Sequence, residues 1–265
     1  MNHGTLASFR YSSLFAAAIF AIAASSVLPS RAMSQATVAI DSGPRRLRYE
    51  PALLRSGQFV YQMILERDAG TSILGDRTVS ASAATYAGSP AWLMVETRTG
   101  NGASVFVDSL FTDMGLRPLH WSASLGSARL AAEFRADTVF GATSAPPGRR
   151  SMVGALPSGA LVSTAMLESV LRLLPLQSTW EDSATVVSVT PGSNSIVPTR
   201  LAVIGEDRVR VPAGQFDCWV VSVRADAGRS LYWVTKRDPI VVRAAMDVPS
   251  MGGAQLIYAL TRIGR

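Results

Sequence analysis

From Gln58 onward the sequence is a succession of short apolar runs with a period of two, each closed by Gly, Pro, Ser, Asn or Asp. In "QFVYQMILER" the alternation places Phe59, Tyr61, Met63 and Leu65 on one face. "DRTVSASAATY", "AWLMVETRT", "SVFVDSLF", "LRPLHWSAS", "SARLAAEFRAD" and "TVFGAT" follow with turn residues between them. Side chains in a strand alternate between faces, so this pattern predicts an antiparallel meander with one apolar side. "RTGNGAS" and "ASLGSAR" read as tight hairpin loops, because their glycines reach positive φ at little cost. In "VPAGQFDCWVV" (Val211–Val221), Pro212 presets the first corner of a turn and Gly214 takes the unusual backbone angle. Phe216 starts the return strand, and the only cysteine, Cys218, falls in the middle of it.

One segment has a helical period instead. "SGALVSTAMLESVLRLLP" aligns Val162, Met166, Val170 and Leu173 in one row and Leu167, Leu171 and Leu174 in the next. Thr164, Glu168 and Arg172 fall on the opposite face, with Glu168 placed to pair with Arg172 one turn on. A helix over Ser158–Leu174, stopped by Pro175, is expected to lay its wide apolar stripe on the sheet. After it the strand signal returns through "TVVSVTPG", "VPTRLAVIGED", "QFDCWVVSVRA", "RSLYWVTKR", "PIVVRAAMD" and "AQLIYALTRI". No linker divides the halves. The fold class that follows is mainly β, a single curved antiparallel sheet or half-barrel with one principal amphipathic helix packed across it.

The N-terminus carries Arg10, the uncharged run Leu14–Val27 and small residues around Ala32 and Ala36. That is the pattern of a secretory signal, and the run is shorter than the roughly 20 residues that span a bilayer. Residues 1–36 are therefore expected to be a signal peptide, cleaved after Ala32 or Ala36, leaving 37–265 as one β-rich domain that is periplasmic or secreted. A single cysteine cannot form an internal disulfide, so the fold must rest on its core.

The residue inventory narrows function. The chain of 265 residues has 25 basic and 19 acidic residues, yet the basic ones form no stripe, and Lys236 is the only lysine. Nucleic acid is thus not an expected partner. Once the signal is removed, His120 is the only histidine, which leaves no histidine- or cysteine-rich metal site. His120 in "PLHWS" is read as a structural residue. No G-x-S-x-G elbow, Ser-x-x-Lys pair or phosphate-cradling glycine loop is present. The carboxylate pairs Glu181-Asp182 and Glu206-Asp207 read as solvated residues beside turns. Cys218, with no helix terminus or cationic neighbour in its local sequence, reads as a buried, inert thiol. No catalytic residue, metal or cofactor is assigned, and the expectation is a protein that is not an enzyme.

The stretches "VIGEDRVRVPAGQFDCWVVSV" and "YWVTKRDPIVVRAAM" resemble the C-terminal half of exported bacterial proteins grouped as domain of unknown function 3108. "VDSLFTDMGLRPLHW", "LAAEFRADTVFGA" and "LESVLRLLPL" resemble that family too, in the same order, so the likeness covers about Arg48 to Ile263. It implies kinship with the half-barrels that carry lipoproteins or lipids across the periplasm, and it brings no catalytic residues. Where the family has an acidic residue near the glycine before the hairpin, Gly205 here is followed by Glu206 and Asp207 together.

Two functional readings follow. In the first, the curved sheet and helix enclose a cavity for an apolar or lipid-like ligand, with Met166, Leu167, Val170 and Leu174 contributing to the pocket. In the second, the helix fills the sheet, and the protein meets an envelope protein partner through an outer face or an edge strand.

Overall fold

The computed structural model describes residues 47–264, apart from 101–102, 146–147, 163, 191–192, 227 and 249–250. The expected signal segment lies outside the described residues. Among the described residues the fold is mainly β: a single sheet of fifteen strands with one α-helix, not closed into a barrel.

The first meander runs through β1 (Gly57–Arg67), β2 (Gly70–Tyr86), β3 (Ser89–Gly100), β4 (Ala103–Thr112), β5 (Pro118–Leu125), β6 (Ala128–Arg135), β7 (Thr138–Ala145) and β8 (Gly148–Ala155). β9 (Leu161–Val162) and helix α1 (Thr164–Leu171) follow. The second meander is β10 (Glu181–Thr190), β11 (Ser193–Val211), β12 (Gly214–Ala225), β13 (Gly228–Thr235), β14 (Val241–Val248) and β15 (Ala254–Gly264). β15 pairs antiparallel with β1, joining the two meanders at the middle of the sheet. Among the described residues all pairings are antiparallel except that of β9 with β10.

This topology forces curvature. β8 and β9 are the two edges of the sheet, yet only Leu156–Ala160 connect them. A flat sheet of this width would hold its edges about 65 Å apart at a strand spacing of about 4.8 Å. The connection reaches about 20 Å at full extension. The sheet must therefore roll until its edges meet. Asn194, at the start of β11, donates from Nδ2 to the Ala155 carbonyl of β8 at 3.1 Å, with no ladder between the two strands. Register shifts between Val60 and Tyr61, between Met63 and Ile64, and between Val203 and Gly205 add local twist.

Gly75 sits at the second of these shifts, with φ +138°. A Cβ built there would lie 1.9 Å from the Thr99 carbonyl oxygen, which is backbone and cannot step aside. Gly75→Ala thus meets both a forbidden angle and a clash. It is expected to cost about 2–4 kcal/mol, more than an ordinary point substitution. A urea midpoint within error of the parent's would contradict this. Gly214, with φ +142°, closes the Val211–Gly214 hairpin as the sequence implied.

The helix is shorter than its apolar period suggested. Gly159, with φ +74°, and the bond from Ala160 N to Pro157 O form a turn. Leu161 and Val162 then join the sheet opposite Val186 and Val187. At the other end, Leu173 N bonds the Val170 carbonyl, tightening the chain before Pro175. The helix period is real, but edge pairing and a positive-φ glycine take its first residues. The carboxylates Glu206 and Asp207 also differ from expectation. They lie within β11 beside the bulge at Gly205, because that strand runs unbroken from Ser193 to Val211.

Candidate functional site

The inner face of the rolled sheet and α1 share one core. Met166 and Val170 are completely buried, and Leu167 and Leu174 nearly so, among side chains from both meanders. The Val162 amide approaches the Met166 sulfur at 3.2 Å. The structure thus brings the four residues named from the sequence into one cluster, three from α1 and Leu174 from just beyond its end. Two open clefts lie elsewhere. One, of about 670 Å³, is lined by Glu206, Asp207, Lys236 and their neighbours; the other, of about 350 Å³, lies between Leu47–Pro51 and Gly115.

On the polar side of α1, Glu168 does not meet solvent. Glu168 is buried and accepts a 2.7 Å bond from Arg77 Nη1 of β2. Arg77, itself fully buried, also donates from Nη2 to Glu96 Oε2 of β3 at 2.8 Å. Arg98 Nε binds the other Glu96 oxygen at 2.6 Å. The helix partner expected for Glu168, Arg172, turns outward instead. It donates to the Pro239 carbonyl at 3.2 Å and lies 4.6 Å from the Phe59 ring centre. Arg77 wins because a buried carboxylate needs a partner inside the core, whereas an exposed helix pair contributes only a few tenths of a kcal/mol.

The registers explain why these charges converge. Tyr61, Arg77 and Arg98 are cross-strand neighbours on β1, β2 and β3, and Glu96 faces Asp108 of β4. The Arg77 guanidinium lies 4.5 Å from the Tyr258 ring centre, a favourable cation–π distance. Burial would raise Glu96, but Arg77 and Arg98 pull it down to about 2. Burial pushes the Asp108 carboxyl up to about 7, reinforced by the charge of Glu96 and opposed by the 2.9 Å bond from Trp121 Nε1. Burial also raises Glu168, against the pull of Arg77. Two polar atoms at this centre, Arg77 Nε and Glu168 Oε2, have no hydrogen-bond partner among the described residues.

This cluster was not identified from the sequence, although parity carried the signal. Arg77 shares its face with Val79 and Ala81, Glu96 with Met94, and Asp108 with Leu110, all of them buried. A charge in phase with the apolar residues of three consecutive strands marks a buried network.

The remaining residues singled out from the sequence each have a defined environment. Cys218 is fully buried, and burial, with Asp207 and Asp217 nearby, pushes its thiol up to about 12, as suits an inert residue. His120 donates from Nδ1 to Glu133 Oε1 at 2.7 Å, and Tyr86 donates to the same carboxylate at 3.2 Å. Glu206 pairs with Lys236, and Asp207 accepts from Trp233 Nε1 at 2.9 Å. Among the described residues no group of three His, Cys, Asp or Glu side chains could hold a metal, and no helix is long and apolar enough to cross a membrane.

A rolled antiparallel sheet with a short helix set into its inner face defines the structural class. Within it, the chain belongs to the family of proteins of unknown function DUF3108, whose model matches residues 60–255. No curated protein matches the sequence. Among solved structures, the chain is similar to a β-barrel-like protein of domain of unknown function DUF1849 from Brucella abortus. That match has 14% identity and a TM-score of 0.49, covering 80% of this chain and 98% of the other. A putative outer membrane lipoprotein-sorting protein domain from Vibrio parahaemolyticus matches at 8% identity and a TM-score of 0.18, covering 78% of this chain and 84% of the other.

Proposed function

We propose that this is an exported, non-catalytic protein that binds an apolar or lipid-like ligand in the half-barrel interior, beneath α1. The observation that carries the reading is the pairing of an apolar interior with two unused hydrogen-bonding atoms at its centre. Met166, Leu167, Val170 and Leu174 offer a wall for a hydrocarbon chain, while Arg77 Nε and Glu168 Oε2 offer a donor and an acceptor to its polar end. Each buried methylene contributes about 0.8 kcal/mol, so a chain of modest length needs few polar contacts. Because β8 and β11 meet through a side-chain bond and not a ladder, the wall can part along that seam.

The helix residues are tightly buried, and this favours a second reading: a filled core in an envelope protein that works through a partner. Titration with a fluorescent fatty acid separates the two. Under the ligand reading, saturable uptake of one probe per chain is expected, with loss of at least tenfold in affinity for Leu167→Glu, since a charge in an apolar site is strongly disfavoured. Gln at the exposed Glu181 is the control and should bind as the parent does. Absence of saturable uptake by the parent would favour the filled core.

A further inference from the structure

The outer face of β6, β7 and β8 combines exposed apolar side chains with arginines. Phe140 and Val153 are directly opposed on β7 and β8, and they remain 42% and 69% exposed. On the same face, Arg129 and Arg149 flank Ser144 from either side. Arg135 lies with its guanidinium carbon 5.4 Å from the Phe140 ring centre. The one outward-facing acid of these three strands among the described residues is Glu133, already engaged by His120 and Tyr86. The positions between, Ala131, Ala142 and Ser151, are small. The result is a surface with three arginines around two apolar side chains, and neither of the two described clefts lies on it.

The geometry points to this face as a docking surface for an anionic lipid bilayer. A headgroup layer supplies negative charge at adjustable positions, which suits arginines spread over three strands, and the acyl boundary beneath it accepts Phe140 and Val153. A peptide partner would instead want side-chain pockets or a paired edge, and the apolar side chains here stand on the sheet face. The surface is on the opposite side of the sheet from α1, so this inference stands apart from the interior ligand.

The test is co-sedimentation of the purified protein with vesicles of phosphatidylglycerol and phosphatidylcholine, against phosphatidylcholine alone. Binding is expected to the anionic vesicles and to weaken as salt rises, because the Debye length falls to about 3 Å at 1 M. A basic residue near an anionic surface is worth about fivefold in partitioning, so Arg129→Gln with Arg149→Gln should weaken binding roughly 25-fold. Phe140→Ser should weaken it further at high salt, and Ile73→Ser, at an exposed apolar position on β2 outside this face, should leave it unchanged. Circular dichroism of each variant checks that the sheet is intact. Equal binding to both vesicle types, no binding, or binding insensitive to the arginine and Phe140 substitutions would overturn the assignment. So would self-association abolished by Val153→Asp, or capture by an acidic protein, in the absence of vesicle binding.

Discussion

Arg77→Met is expected to destabilise the protein by about 3–5 kcal/mol, the usual cost of stripping one partner from a buried charge network. The substitution roughly keeps the volume but leaves Glu168 without the cation hydrogen-bonded to it, and Glu96 with Arg98 as its remaining cation among the described residues. The loss should show as a lower urea midpoint with an unchanged slope. Arg77→Met combined with Glu168→Gln should recover part of it, because the second change removes the stranded charge. The coupling between the two sites is expected to exceed about 1 kcal/mol, the scale for residues in direct contact. Strictly additive effects would mean that α1 is not held to β2 by this pair.

The second large effect is pH-dependent and belongs to Asp108. In an unfolded chain an aspartate ionises near 3.9, while here burial moves the group to about 7. The fold holds this proton more tightly than the unfolded chain does. Its contribution is therefore complete below pH about 4 and is lost as pH rises toward 7. Asp108→Asn cannot ionise and still offers Trp121 Nε1 an acceptor. The variant should match the parent near pH 4 and be more stable at pH 8, by as much as about 4 kcal/mol if the whole shift is realised. Glu96 acts in the opposite sense. Its depressed value means that stability supplied by Arg77 and Arg98 is lost as pH falls from about 4.5 toward 2. Urea unfolding from pH 4 to 8 checks the Asp108 part, and parallel pH profiles for parent and variant would contradict it.

The architecture was legible in the sequence because its two signals are local. Period-two alternation in "QFVYQMILER" marks β1 with Phe59, Tyr61, Met63 and Leu65 all buried, and "VPAG" marks the hairpin at Gly214. What stayed hidden depends on long-range geometry. Leu161 and Val162 fit the helix period as well as any residue, and only their proximity to Val186 and Val187 makes them a strand. Glu168 finds a local partner in Arg172 by spacing, yet its actual partner lies 91 residues away. The bulge between Val203 and Gly205 carries the strand through the turn expected beside Glu206 and Asp207, which no local propensity encodes.

The proposed uptake of a hydrophobic ligand by the interior is tested most directly by mass spectrometry. Protein purified from its native host without detergent would be weighed intact under native conditions, then extracted under denaturing conditions. The ligand reading predicts a native mass above that of the denatured polypeptide by one lipid-sized increment, and recovery of that lipid at about one per chain. A native mass equal to that of the chain alone, with nothing extracted and nothing gained after incubation with lipid, would contradict it and leave the filled core as the account of this fold.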